Sequence, residues 1–91
     1  MLNMYAIKDL KTGCFNQPFF ATHVEQVVRS IRRGLTEKRP GDNYAEFPED
    51  FALWLLGVFN PETGTITEQV EHIAALPVIG SLNKMEEKPN A

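Results

Sequence analysis

The chain has 91 residues, of which 43% are hydrophobic, and a formal net charge of −3 at pH 7. This length corresponds to one domain, and the apolar share is that of a globular protein rather than of a disordered one. The acidic balance excludes a protein whose whole surface is basic, so any contact with nucleic acid requires a local basic patch.

The cysteine content and the apolar runs favour a cytoplasmic protein. Cys14 is the only cysteine, so no internal disulfide can form and a reducing compartment is expected. Residues 1–5 lack the long apolar run of a signal peptide. The longest apolar stretch, residues 51–59, is too short to cross a bilayer as a helix. We therefore expect no membrane partner.

The first twenty residues predict two strands joined by a turn. Tyr5 and Ile7 give residues 3–8 the character of a strand, and residues 9–13 predict a turn. A short second strand is predicted within residues 14–20. Pro18 would end that strand or confine it to the edge of a sheet, because proline lacks the N–H that a central strand needs.

The main helix is predicted over residues 22–34. Thr22 and Glu25 fit a capping box at its start, and Gly34 is a natural stop. Apolar residues follow with helical spacing and form one narrow stripe. The stripe consists of Val24, Val27, Val28, Ile31 and Leu35. The β-branched residues in it make a poor isolated helix, so this helix is expected to pack on a sheet.

The second half predicts a loop, a hairpin and a short helix. Residues 35–48 predict a long loop. Residues 51–59 are apolar on both faces, which predicts a central strand that is buried on both sides, or buried on one side and in an interface on the other. Residues 60–64 predict the turn of a hairpin that returns over residues 65–67. The spacing of Val70, Ile73 and Ala74 predicts a helix over residues 68–76, ended by Pro77.

Two segments of the chain resemble each other. Asp9 is followed by Thr12-Gly13 between apolar residues, and Asn60 is followed by Thr63-Gly64 in the same way. Either both segments need the same hairpin chemistry or they derive from a duplication. We favour the shared hairpin chemistry, because only three positions match.

These elements predict an α+β fold. We expect a small antiparallel sheet of three to four strands, one main helix packed on it and a short C-terminal helix. Residues 1–80 would form a single domain and residues 81–91 a disordered polar tail. The thin core of so short a chain favours a homo-oligomer, with a dimer expected. The interface is predicted at Trp54, Phe59 and Phe51.

A basic cluster is the strongest candidate for a binding site. Five of the nine basic residues fall within eleven positions, and Glu37 is the only acid inside that window. The cluster consists of Arg29, Arg32, Arg33, Lys38 and Arg39. Its three helical arginines are expected to lie away from the apolar stripe, where they could meet phosphates. The alternative is a solvated outer face on which Glu25 pairs with Arg29.

Three more residues could extend this site. Lys8 and Lys11, at the first strand and turn, would lengthen a track of positive charge. Tyr44, in the loop after the basic cluster, is the best candidate for stacking on a base of single-stranded nucleic acid.

Signatures of an enzyme are missing from the sequence. His23 and His72 are isolated, there is no second cysteine, and no spacing typical of a metal site occurs. No glycine-rich phosphate loop is present either. We therefore expect a protein that is not an enzyme and that holds no metal and no cofactor.

The chain resembles a family of phage proteins. Its first half contains Met4-Tyr5-Ala6-Ile7-Lys8-Asp9 with Phe15 and Pro18-Phe19 downstream. Its second half contains Pro48-Glu49-Asp50-Phe51-Ala52-Leu53-Trp54, then Leu56-Gly57-Val58-Phe59-Asn60 and Thr63-Gly64. Over residues 4–70 these motifs are similar to the small non-structural protein of gokushoviruses, which are single-stranded DNA bacteriophages of the Microviridae. The resemblance implies a non-capsid protein in the cytoplasm of the infected bacterium.

Two hypotheses of function follow. In the first, the protein binds single-stranded DNA non-specifically through the helix and the loop after it, and assists viral genome synthesis or packaging, as the resemblance implies. In the second, it is an adaptor that binds viral or host replication or packaging proteins without contacting DNA. A third reading is a dimer that uses its apolar surplus for its own assembly alone.

Overall fold

The structure is a computed structural model that describes the backbone of residues 1–87 and the side chains of residues 1–81. Its strands are β1 (Leu2–Asp9), β2 (Cys14–Phe15), β3 (Phe19–Ala21), β4 (Phe51–Asn60) and β5 (Thr65–Ala75). Its helices are α1 (Val24–Glu37), α2 (Asn43–Glu46) and α3 (Leu76–Glu87), with a 3₁₀ turn at Pro48–Asp50. The expected α+β class, with one main helix and a C-terminal helix, is confirmed.

All five strands form one antiparallel sheet in the order β2-β1-β4-β5, and β3 pairs with β1 on the same side as β2. β4 pairs with β1 on one side and β5 on the other, which confirms it as a central strand. β2 and β3 are short because Pro18 lies between them and cannot donate to the sheet.

The core lies on one face of the sheet, which we call the helix face. Successive strand residues point to opposite faces, so Tyr5 and Ile7 of β1 share this face with their partners Leu55 and Leu53 of β4. Helices α1 and α3 cover it, and their contributions to the core are Val27, Leu76 and Ile79. We call the opposite side of the sheet the open face.

The two similar segments form two hairpin turns with the same hydrogen bonds. Gly13 N–H donates to the carbonyl of Asp9 over 2.8 Å, and Gly64 N–H donates to that of Asn60 over 2.7 Å. Both glycines have positive φ, 77° and 75°, which glycine adopts without steric cost. The side-chain oxygens of Asp9 and Asn60 each accept from the backbone two residues on, over 2.9 Å. Shared hairpin chemistry therefore accounts for the similarity.

The helix predicted over residues 68–76 is wrong, because this segment continues β5 to Ala75. Its side chains have helical spacing, but β4 is apolar along its length and its backbone needs a partner on its second side. β5 supplies that partner, with irregularities in register between Leu53 and Trp54 and between Leu55 and Gly57. The pairing of two strands thus outweighs a weak local pattern.

The C-terminal helix instead begins where the predicted one ended. Pro77 lies in the first turn of α3, where a missing N–H costs nothing because that group has no partner within the helix. The helix continues past Ser81 into the segment that was predicted to be a disordered tail. Residues 88–91 of that tail lie outside the described residues.

Helix α1 is shifted towards the C-terminus relative to its prediction. His23 is the N-cap and makes no capping hydrogen bond with its side chain, while the Thr22 hydroxyl donates to Gln26 Oε1 over 3.2 Å. The capping box is therefore not formed. The helix passes through Gly34 and ends at Glu37, because Lys38 takes the left-handed conformation with φ 49° and donates its N–H to the Gly34 carbonyl.

The long loop after α1 is shorter and more structured than predicted. Asp42 caps α2 by accepting hydrogen bonds from the backbone N–H groups of Tyr44 and Ala45. The 3₁₀ turn follows at once and begins with Pro48. These short elements hold Tyr44 and Ala45 against the core and lead the chain directly into β4.

Arg32 is buried, with 8% of its surface exposed, although its side chain was expected on the outer face of α1. It follows Val28 by four positions, so it lies beside the apolar stripe on the same side of the helix. The long aliphatic stem of an arginine can pack along such a stripe. Arg32 thus belongs to the structural part of the helix.

Gly57 is required by the close approach of β4 and β5. A Cβ atom at this position would lie 2.6 Å from the Thr67 carbonyl oxygen, which belongs to the backbone and cannot swing aside. We expect Gly57→Ala to lower the free energy of unfolding by about 1–3 kcal/mol through this overlap, measured by urea denaturation. Gly34→Ala is the control, because no described atom outside the neighbouring backbone of its own helix lies within 4 Å of the place that its methyl group would take, and helical alanine is favoured by up to about 1 kcal/mol. Equal stability of the two variants would contradict the proposed overlap.

Arg32 and Arg33 differ in burial and should differ in their effect on stability. Arg32→Gln removes a buried side chain and is expected to cost about 1–3 kcal/mol of unfolding free energy. Arg33→Gln, at a side chain that is 81% exposed, should change it by less than about 0.5 kcal/mol. Thermal denaturation of the two variants checks this expectation, and equal melting temperatures would contradict the burial of Arg32.

Candidate nucleic-acid interface

The predicted basic cluster forms a smaller patch than its sequence suggests. With Arg32 buried, four exposed basic residues remain on α1 and just after it. We call them the helix patch: Arg29, Arg33, Lys38 and Arg39. Since α1 covers the helix face of the sheet, these side chains extend outward on that side of the molecule.

One acid partly neutralises the helix patch. Glu37 lies 3.7 Å from Arg33 Nε and 2.9 Å from Arg39 Nη2. Arg29 and Lys38 make no salt bridge with any residue that the structure describes, so the expected pair of Glu25 and Arg29 is not formed. Exposed ion pairs contribute little free energy, and the patch keeps a surplus of positive charge.

Tyr44 is packed rather than free to stack on a base. Its ring meets that of Phe51 edge-on, with 4.7 Å between the centroids, and it borders the core. Asn16 Nδ2 donates to the Tyr44 hydroxyl over 2.7 Å. The ring therefore joins the loop to the sheet, and its stacking on a base stays a prediction.

Lys8 and Lys11 do not continue the helix patch. The ammonium of Lys11 lies 3.3 Å from Asp50 Oδ2, at the end of the first hairpin. Lys8 pairs with Ala52 of β4 and Phe15 of β2, and it alternates with the core residue Ile7, so it lies on the open face. The sheet thus separates Lys8 from the arginines of α1, and the single continuous track expected from the sequence is absent.

The open face gathers aromatic side chains around Lys8. The rings of Phe15 and Trp54 meet edge-on at 5.6 Å, and those of Trp54 and His72 at 5.4 Å. Lys8 Nζ lies 5.4 Å from the Phe15 ring centroid and 5.0 Å from a ring of Trp54. We call these four residues the ring row, which crosses the sheet from β2 to β5.

A second aromatic pair lies further along the same strands. The rings of Phe20 and Phe59 meet at 6.3 Å, and Phe20 is 50% exposed. Phe59 follows Trp54 on β4, beyond the irregularity at Gly57. The sequence does not group these residues, because only the strand order brings positions 15, 54 and 72 together. The one signal that it offers is the alternation of side chains along each strand, which shows which residues share a face.

The predicted interface residues lie on different faces. Trp54 and Phe59 are half-buried and occupy the open face, so they remain candidates for an interface. Phe51 is 8% exposed and belongs to the core with Leu53 and Leu55, so little of its side chain is accessible to a partner, and its place in an interface stays a prediction. β4 is apolar over residues 51–59, and composition alone could not tell its two faces apart.

Membrane-spanning helices and metal clusters are both missing from the described residues. These residues include no helix that is long and apolar enough to cross a membrane. They include no group of three or more His, Cys, Asp or Glu side chains that could hold a metal ion. Cys14 is exposed at the end of the first hairpin turn.

Comparison with known proteins gives one relationship. No curated protein and no solved structure matches the chain. A family model described as "Phage ORF5 protein" matches residues 2–78, a span that contains the whole sheet, α1 and the start of α3. Because the match covers most of the sequence, the chain belongs to the Phage ORF5 protein family.

Proposed function

We propose that this phage protein binds single-stranded DNA without sequence specificity and assists viral genome synthesis or packaging in the cytoplasm of the infected bacterium. The observation that carries the proposal is the surplus of exposed cations in the helix patch, where four basic side chains face one acid. Phosphates attract such a patch, and arginine matches their oxygens in a bidentate manner. The motifs shared with gokushovirus non-structural proteins support a virus with a single-stranded genome.

The net charge of −3 restricts the proposed DNA contact to part of the protein surface. Outside the helix patch the protein carries more acidic than basic residues, so a nucleic acid would be attracted to limited parts of the surface rather than to all of it. This arrangement suits a protein that contacts DNA over a short stretch rather than one that coats it. We propose a binding role rather than a catalytic one, in keeping with the sequence, which lacks the spacings of metal and nucleophile sites.

Salt-dependent binding tests the proposal. Titration of a fluorescent single-stranded oligonucleotide should show binding at low ionic strength that weakens steeply as salt is added, because bound phosphates release counterions. The double variant Arg29→Gln/Arg33→Gln should bind more weakly and with a shallower dependence on salt, by about two units of slope at most. Both side chains are exposed, so the fold should be retained, and circular dichroism checks this.

The matched control is Thr67→Glu/Gln69→Glu on β5, which changes the net charge by the same amount at exposed positions away from α1. If net charge alone governs binding, the two double variants will lose equal affinity. If the helix patch contacts phosphates, only the arginine variant will change its salt slope. Absence of binding at low salt would refute DNA binding by this protein.

A second candidate is an adaptor that binds viral or host replication or packaging proteins. The observation that favours it is an apolar cleft of about 470 Å³ between α1 and the edge strand β3. Its apolar lining includes Phe19, Phe20, Ile31, Leu35 and Tyr44. Pull-down from infected cells tests this candidate, because an adaptor should recover a discrete viral or host protein after nuclease treatment. Recovery of nucleic acid alone without nuclease, and of no protein after nuclease treatment, would count against it.

A further inference from the structure

We propose that the bases of single-stranded DNA stack on the open face, at the ring row, while phosphates are drawn by Lys8 and by the helix patch on the other side. This inference rests on the proposed DNA binding and specifies where the bases lie. The site differs from the one expected from the sequence, which placed both phosphates and bases beside α1.

The composition of the ring row carries the inference. Binding of single strands combines cations with aromatic rings, because every base has a flat face that can stack whatever its sequence. Lys8 Nζ lies within 5.4 Å of two ring centroids, and Phe15 is 40% exposed. No helix in the described part of the chain packs over these residues. The face thus presents rings to solvent beside a positive charge.

Trp54 has an unused hydrogen-bond donor. Its Nε1 is buried and has no hydrogen-bond partner among the described residues, although buried donors usually have one. The indole touches Phe15 on one side and His72 on the other. A base carries carbonyl oxygens that could accept this bond. The unsatisfied donor therefore favours a ligand with acceptors over a purely apolar one.

The charge of Lys8 favours nucleic acid over a second copy of the chain as the partner of the open face. Lys8 makes no salt bridge with the described residues, and it lies among the rings rather than at their rim. An apolar interface between two sheets would bury this ammonium, and a buried charge without a partner is costly. A DNA strand would bring phosphates to it. The charge of the face therefore fits an anionic polymer.

The second aromatic pair indicates the path that a DNA strand would follow across the open face. Phe59 follows Trp54 by five positions on β4, a distance of roughly 16 Å at about 3.3 Å per residue. A strand lying along β1 and β4 could contact the ring row and then Phe20 and Phe59. On the β5 side, Glu68 pairs with Gly57 and adds a negative charge that keeps phosphates towards β1. An oligonucleotide of several residues should thus bind better than a dinucleotide.

Trp54 is the only tryptophan in the chain, so its fluorescence reports directly on the open face. Addition of unlabelled oligothymidylate of about ten nucleotides, a length within the site sizes of single-strand-binding folds, should quench its emission with the same midpoint as binding measured by fluorescence anisotropy of a labelled oligonucleotide. Phe15→Leu should weaken binding by about tenfold at every salt concentration, because a stacking contact is lost while the charge is unchanged.

Phe47→Leu is the matched control, since Phe47 is an exposed phenylalanine that lies before the 3₁₀ turn and outside the ring row. It should bind as the original protein does. Circular dichroism and thermal denaturation of both variants establish that each is folded. The salt slope separates the two surfaces, because Phe15→Leu should leave it unchanged whereas Arg29→Gln/Arg33→Gln should reduce it.

The possible failures are distinguishable. If no oligonucleotide binds at low salt, the proposed function itself fails. If DNA binds but Trp54 emission is unchanged and Phe15→Leu binds normally, DNA binding stands and the stacking site is refuted. If Trp54 emission varies with protein concentration and does not respond to DNA, the open face is an interface between copies, and sedimentation of Phe15→Leu as a smaller species would establish that outcome against our inference.

Discussion

The antiparallel pairing of β1 with β4 is the interaction on which the rest of the structure depends. It places Tyr5 opposite Leu55 and Ile7 opposite Leu53, and these four side chains form the floor on which α1 and α3 pack. A chain of 91 residues can bury only a small core, and Ile7, Leu53 and Leu55 are the large aliphatic side chains that these two strands contribute to its buried cluster. The same pairing sets Lys8 and Trp54 on the other face, where no helix of the described part of the chain covers them.

Much of this architecture could be predicted from local chemistry. The two hairpin turns follow from Asp9 and Asn60 with their glycines, and the apolar run of β4 marks a central strand. The predictions failed where a distant partner decided the outcome. Residues 68–75 of β5 have the spacing of a helix, but β4 requires a neighbour on its second side, and the start of α3 at Leu76 follows from where β5 ends. The spacing of apolar residues in a short segment does not reveal that it pairs with a strand elsewhere in the chain.

In the candidate site, too, local features could be predicted from the sequence, whereas features that depend on distant contacts could not. The basic residues of α1 could be found from their density, but not the burial of Arg32, which depends on how the helix is rotated against the sheet. The ring row could not be predicted from the sequence, because its members come from β1, β2, β4 and β5 and meet only after folding. Its position beside the basic cluster made Tyr44 the candidate for stacking on a base, whereas in the structure its ring contacts Phe51 and stabilises the fold.

The residues of the two sequence motifs can now be divided by what the fold requires. In the first motif, Tyr5 and Ile7 fill the core and Asp9 holds the turn. In the second, Phe51 and Leu53 fill the core. Further on, Gly57 permits the approach of β5 and Asn60 begins the second turn.

Lys8 and Trp54 are among the motif residues that do not belong to the core cluster. They belong to separate motifs, far apart in sequence, and the ammonium of Lys8 lies 5.0 Å from a ring of Trp54 on the open face. The cost of leaving Trp54 Nε1 without a partner, about 1–3 kcal/mol for a buried donor, is not recovered within the described structure. A feature that weakens the folded protein and lies beside an unpaired cation is more readily explained by a ligand than by stability.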